Sequence, residues 1–528
     1  MPLQYRNLDR TRVFADLGRI DPEAIDPQAL LTPERIARYS IPAGGGLTYN
    51  YAAKKVNDEV LEGLQRLADE QQLIEKYEFI YNGGIANRGE NRMVLHHLAR
   101  GQLGRPVIHE GRDLRAFYQD QQRRIAGFCS DVHAGKARGS TGKAFQTCVQ
   151  IGIGGSDLGP RALYLALEQY ARDRGQLRME ARFISNVDPD DANGVLAGVD
   201  LETTLFIVVS KSGTTQETLA NERLARAKMT SAGVDPARHM VAVTSQTSPM
   251  ARSKEYRDAF FIDDFIGGRY SSTSAVGGVI LSLALGPEVF AEILECAHEA
   301  DRLACNPKIR ENAALMDAMI GIWERNFLNY PSTAVLPYCQ ALVRFPAHLQ
   351  QLDMESNGKS VSVDHQRLAY PTGPFLFGEP GTNVQHSFYQ HLHQGTDVIP
   401  LQFIGFRRAQ TRFDVEVEGT TSQTKLNANL VAQIVAFALG KEDVNPNKAF
   451  EGERPSSLLY ADRLTPRALG SLLAHFENKV MFQGLAWNIN SFDQEGVQLG
   501  KLLANQVLAG ADDARLQAYA GLLGVSGR

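Results

Sequence analysis

The chain has 528 residues, 43% of them apolar and 22% charged. That balance belongs to a folded protein with sizeable cores, and at roughly 100–200 residues per domain the length predicts two to four domains. With 55 basic against 60 acidic residues the net charge is −5, which argues against a broad surface for nucleic acid or anionic membrane.

Five cysteines, without a CxxC pair, argue against a disulfide framework or a Cys-rich zinc site. They point to a reducing cytoplasm. The segment 1–12 is polar and charged, so no secretory leader is expected at this end. The longest apolar run, Ala275 to Leu285, is too short to span a bilayer.

The first hundred residues read as helical. Val60, Leu61, Leu64, Leu67 and Leu73 have helical spacing within Asn57 to Tyr77. Asn82 to Asn91 is a glycine-containing loop, and Arg92 to Arg100 reads as a further helix. From Gln146 short apolar, β-rich runs alternate with longer helical ones. The predicted strands are 147–153, 181–184, 204–209, 240–244 and 260–262, with helices at 160–174 and 215–229. Alternating strands and helices imply βαβ units, and wholly apolar strands imply burial on both faces. A second such block starts near Asn312, with helices at 313–325, 341–352 and 425–438, strands at 334–338 and 398–404, and two further helices near the C-terminus. The expected fold is therefore α/β: two doubly wound parallel-sheet sandwiches with a helical N-terminal extension and C-terminal helices. The expected divisions are 1–110, 111–290 and 291–528.

Four clusters carry candidate chemistry. GIGGSDLGP, Gly152 to Pro160, follows a strand and opens a helix, so bare backbone N–H groups can approach an anion or a sugar. It is not a dinucleotide fingerprint, because Asp157 stands where the third glycine belongs. A tight turn with Ser156 or Asp157 as N-cap explains it equally well. SKSGTTQET, Ser210 to Thr218, ends another strand with Ser210, Ser212, Thr214, Thr215 and Lys211 around Gly213. Hydroxyls, an ammonium and a helix N-terminus suit a phosphate. No GxxxxGK[ST] occurs: Gly358-Lys359 and Gly142-Lys143 have Asp353 and Ala137 at the upstream glycine position.

The third cluster, MESNGK, places Glu355 at the end of an apolar helix. The helix dipole there opposes its charge, a local cost that a functional site can carry. The fourth runs from Gly378 to Gln394 and puts His386 in the first turn of an expected helix, with His393 on the same face. Neither HExxH nor an i,i+4 histidine pair occurs, so a metal site is the weaker reading. Two further stretches place Arg269 in a glycine-flanked turn, GGRYS, and Gln494 and Lys501 seven residues apart in FDQEGVQLGK.

Taken together and in this order, GIGGSDLGP, SKSGTTQET, GGRYS, MESNGK, the GTN–QHSFYQ stretch and FDQ–GV–LGK resemble the phosphoglucose isomerase family over about residues 85–505. The resemblance implies two sugar-isomerase (SIS) domains in a cytoplasmic homodimer without metal or cofactor. It also implies interconversion of glucose 6-phosphate and fructose 6-phosphate, in glycolysis and gluconeogenesis. Carried over by motif, Glu355 is the base that moves a proton between C2 and C1, and Arg269 stabilises the enediolate. His386, given by the partner subunit, and Lys501 serve ring opening. Ser210, Lys211, Ser212 and Thr215 hold the phosphate. Gly155, Ser156 and Gln494 line the sugar site, and Glu217 orients the assembly. The chain departs from the family pattern at residues 271–274, Val384, Glu495 and Arg88-Gly89, none of which removes a site side chain. The rivals are another SIS-type sugar-phosphate isomerase and a non-catalytic sugar-phosphate-binding regulator. The regulator should lack the base or the ring-opening residues, and Glu355, His386 and Lys501 are all present.

Overall fold

The computed structural model describes residues 2–510 and 513–525. It divides into two units, Met1–Ser491 and Phe492–Arg528. The larger unit is built on two sheets. Their strands are β1 Ser40–Gly44, β2 Leu47–Asn50, β3 Thr147–Ile151, β4 Glu180–Ile184, β5 Thr204–Val209, β6 Met240–Thr244, β7 Asp258–Phe261, β8 Ser332–Pro337, β9 Phe375–Phe377, β10 Leu401–Phe406 and β11 Ser456–Ala461.

The first sheet has the order β7-β6-β5-β3-β4 and is parallel throughout. Every residue of β5 and β6 is buried, as helices on both faces require. The core on one face gathers Val149, Ile151, Phe206, Val208 and Ala242 with Met229 of the helix Gln216–Ser231. The apolar run read as too short to span a bilayer is the helix Ala275–Leu285, with all its residues buried. It packs against β3 and the helices Leu114–His133 and Leu158–Arg172.

The second sheet has the order β1-β2-β11-β10-β8-β9. Strands β11, β10, β8 and β9 run parallel, and their order repeats that of β6, β5, β3 and β4. The hairpin β1–β2 adds antiparallel to β11, through Leu459 opposite Tyr49. The sequence pattern did not predict this hairpin. Leu47 and Tyr49 point inward and Thr48 and Asn50 do not, so a period-two signal exists, but over four residues only. The expected helix at 57–77 is two helices. Asn57 caps Asp58–Glu70 by accepting from the Val60 N–H at 2.9 Å. Gln72 then turns left-handed at φ 53° before Leu73–Tyr81. Buried Gln71 fixes the break, its amide donating to the carbonyls of Arg6 and Ala486 at 3.0 Å each.

The stretch 92–100 is a short strand, Arg92–Met93, and a 3-10 turn, His96–Ala99, instead of a helix. The Leu95 N–H donates to the Phe265 carbonyl at 2.8 Å, which draws this segment to the first sheet's loops. The expected helix at 341–352 is shorter, Phe345–Gln350, and runs into a π-helical turn, Gln351–Glu355. The helix Pro466–Ala486 is almost wholly buried and packs against the helices Pro287–Leu303 and Ala313–Asn326. The smaller unit holds the turn Glu495–Val497 and the helices Gln498–Leu508 and Ala514–Leu522. Among the described residues no helix is long and apolar enough to cross a membrane, and all five cysteines are free.

Candidate active site

The carboxyl ends of β3 and β5 are where ligands bind in an open α/β sheet. After β3 the chain makes a 3-10 turn, Gly154–Ser156, and starts the helix at Leu158. Gly155 packs against Gly268 so closely that a Cβ would lie 2.1 Å from the Gly268 carbonyl carbon. Ser156 is half-buried. Neither Ser156 nor Asp157 caps the helix with its side chain; Asp157 accepts instead from Nε of Arg161 at 2.8 Å.

After β5, Ser210 Oγ accepts from the Gly213 N–H at 3.0 Å and lies 3.0 Å from Thr215 Oγ1. Gly213 has φ 69°, which a side chain would strain. Ser212 and Thr214 are exposed, Lys211, Thr215 and Glu217 half-buried. No side chain caps the helix that begins at Gln216. The loop thus combines hydroxyls, a lysine and a helix N-terminus, the ingredients of an anion cradle. The Lys211 ammonium donates to the Ile266 carbonyl at 3.2 Å. Burial pushes its pKa below the ordinary lysine value, opposed by Asp264, while Arg92 adds to the lowering.

Ile266 opens the segment that joins these loops to the rest of the site. Gly268 meets Gly155, and the next residue is Arg269, buried with 1% of its side chain exposed. Its Nη1 lies 3.6 Å from Oε1 of Glu355, whose side chain is 22% exposed. Glu355 closes the π-helical turn, a rare conformation that recurs at functional sites. Behind it Asp353 is buried, and burial pushes its carboxyl up to about 6 against the pull of Lys479. A carboxylate and a guanidinium side by side can remove a proton and stabilise the negative charge that results.

The structure therefore brings together Gly155, Ser156, the Ser210–Thr215 loop, Arg269 and Glu355. It does not bring His386 to them. His386 is exposed on the 3-10 turn Asn383–His386, where neighbouring Gln385 donates to the Tyr338 hydroxyl at 2.8 Å. His393, expected on the same face, is taken up by packing: it stacks on Phe437 with ring centroids 3.8 Å apart and bonds Gln433 at 3.0 Å. Among the described residues no group of three or more His, Cys, Asp or Glu side chains is arranged to hold a metal ion. Gln494 precedes the turn Glu495–Val497 and Lys501 lies in the helix Gln498–Leu508, both in the smaller unit.

Sequence reasoning missed Ser356 and Ser491. Nε of Arg269 donates to Ser356 Oγ, and Nη2 to the Ser491 carbonyl, each at 2.7 Å. Adjacency to Glu355 could have flagged Ser356, whereas a backbone acceptor such as Ser491 leaves no side-chain signal.

The family model for phosphoglucose isomerase matches residues 50–520. The chain belongs to the phosphoglucose isomerase family. It is 55% identical to glucose-6-phosphate isomerase from Treponema denticola over 528 residues, 99% of this chain and 100% of that one. With glucose-6-phosphate isomerase from Treponema pallidum it shares 58% identity over 527 residues, 98% of each chain. A crystal structure of a glucose-6-phosphate isomerase from Chlamydia trachomatis superposes with a TM-score of 0.91 at 44% identity, covering 98% of this chain and 100% of that one. Both the two-sheet architecture and the family expected from the motifs are borne out.

Proposed function

We propose that this chain interconverts D-glucose 6-phosphate and D-fructose 6-phosphate, an aldose–ketose isomerisation of glycolysis and gluconeogenesis. The observation that carries this reading is the Arg269–Glu355 pair, with Arg269 on a segment that the Ser210–Thr215 loop contacts through Lys211 and the Ile266 carbonyl, in a chain whose relatives are named for that reaction. Glu355 takes the proton from C2 of the open-chain aldose and returns it to C1 of the enediolate, while the O2 hydroxyl proton passes to O1, so the hydrogen inventory closes without a redox cofactor. Arg269 faces the oxyanion that develops and keeps its own proton throughout. Ser210, Lys211, Ser212 and Thr215 grip the phosphate, a remote handle whose binding energy positions the reacting carbons. Gly155, Ser156 and Gln494 line the sugar, and Glu217 orients the phosphate loop.

Ring opening falls to Lys501 and to a His386 supplied by a second subunit of a homodimer, which fits the exposure of His386 within one chain. The cytoplasm is the matching compartment, consistent with five free cysteines. Two experiments test the reading. Purified protein dialysed against EDTA should convert fructose 6-phosphate to glucose 6-phosphate; binding without turnover would favour a regulator. Mixed dimers of Glu355→Gln and His386→Ala subunits should regain activity that neither parent has, and no recovery would contradict the shared site.

A further inference from the structure

We propose that Ser356 is a positioning residue that holds the Arg269 guanidinium in place beside Glu355, and that Asn357 supports it through Ser491. The inference rests on the reading of Glu355 as base and Arg269 as the oxyanion's partner. An arginine next to a carboxylate ordinarily closes into a bidentate pair, with N–O distances of about 2.7–2.9 Å. Here the nearest approach is 3.6 Å. The edge of the guanidinium that carries Nε and Nη2 is engaged elsewhere, by the Ser356 hydroxyl and the Ser491 carbonyl at 2.7 Å each.

Both acceptors are themselves fixed. Ser356 is wholly buried, and its Oγ lies 3.1 Å from the Tyr270 hydroxyl. Ser491 Oγ donates to Oδ1 of buried Asn357 at 2.8 Å, while Nδ2 of Asn357 donates to the Val480 carbonyl at 3.1 Å. This approach depends on Gly484, where a Cβ would stand 1.8 Å from Ser491 Oγ. The three consecutive residues 355–357 thus divide the work. Glu355 handles the proton, Ser356 grips the guanidinium directly, and Asn357 secures the loop that grips it from the other side. The clamp keeps the positive charge near the base without letting it collapse onto the base, where it would be unavailable to the enediolate.

The test is a double-mutant cycle in the full-length protein, with fructose 6-phosphate as substrate. Ser356→Ala should lower kcat about 10- to 100-fold, the range expected when a catalytic group is misplaced by an ångström. KM should stay within about threefold, because the phosphate grip is untouched. In an Arg269→Lys background, which lacks the fork that Ser356 holds, the same change should cost almost nothing further. If Ser356→Ala fails to fold, Ser356→Cys keeps the volume, weakens the acceptor and carries the same expectation. Unchanged kcat in Ser356→Ala, or a full additional loss in the Arg269→Lys background, overturns the proposal. Should Glu355→Gln and Arg269→Lys both retain wild-type turnover, the reading of the site itself has failed instead.

Discussion

The two sheets share one order over four parallel strands, yet their carboxyl edges carry different loops. The first sheet puts short loops there: a glycine turn after β3 and a hydroxyl-rich turn after β5, each leading straight into a helix. The second puts a short helix after β8 and forces it into a π-helical turn that delivers Glu355. Its loop after β10 runs through the small hairpin Glu416–Thr421 before the helix Ser422–Leu439 begins, so no helix N-terminus follows that strand directly. Duplicated topology therefore does not duplicate chemistry. In the proposed reading one edge holds an anion and the other supplies a base, and the Ile266–Arg269 segment contacts both, through Lys211 and through Glu355.

The predictions follow from that division. Loss of the base should be the largest effect: Glu355→Gln should lower kcat by about 10³-fold or more, with KM nearly unchanged. Next, Arg269→Lys should cost about 10²-fold in kcat, as removal of an oxyanion partner does, again with little change in KM. Changes on the first sheet's edge should show the opposite split. Lys211→Ala should raise KM for fructose 6-phosphate about tenfold and lower kcat less, and steady-state kinetics on the three variants checks the contrast. A kcat defect in Lys211→Ala as deep as that of Glu355→Gln would erase the distinction between the edges.

A separate effect is on stability. Burial holds His97 and His348 down to about 4, from 6.5. Their contribution is complete above pH 6.5 and is lost as pH falls toward 4. Asp353, raised from 3.8 to about 6 by burial, has the opposite sign: its contribution is present below 3.8 and lost as pH rises through 6. From pH 7 to pH 5 the histidines lose about 2 kcal/mol each and the aspartate returns about 1 kcal/mol. The urea midpoint should therefore fall over that interval, and a rise would contradict the signs assigned here.

Much of this was legible because the first sheet's strands are apolar on both faces. Strands β5 and β6 match the expected spans 204–209 and 240–244 residue for residue. The second sheet was harder. Strand β9 has three residues, β11 opens with two buried serines, and the β1–β2 hairpin pairs with it across more than 400 residues, Tyr49 opposite Leu459. No local pattern reports such a pairing. At the site, the loops were readable from their glycines and hydroxyls. The π-helical turn was not, because one extra residue per turn leaves no compositional mark. Nor was the hold on Arg269 by Ser491, since it uses a main-chain carbonyl that every residue possesses.

The central claim is that Glu355 moves the proton. Its most direct test is to incubate fructose 6-phosphate with folded Glu355→Gln and with the wild type in D2O, and to follow C1 and C2 by NMR. The wild type should form glucose 6-phosphate and introduce deuterium at these carbons, while Glu355→Gln should do neither on the same timescale. Deuterium incorporation by Glu355→Gln within about tenfold of the wild-type rate would show that another group carries the proton.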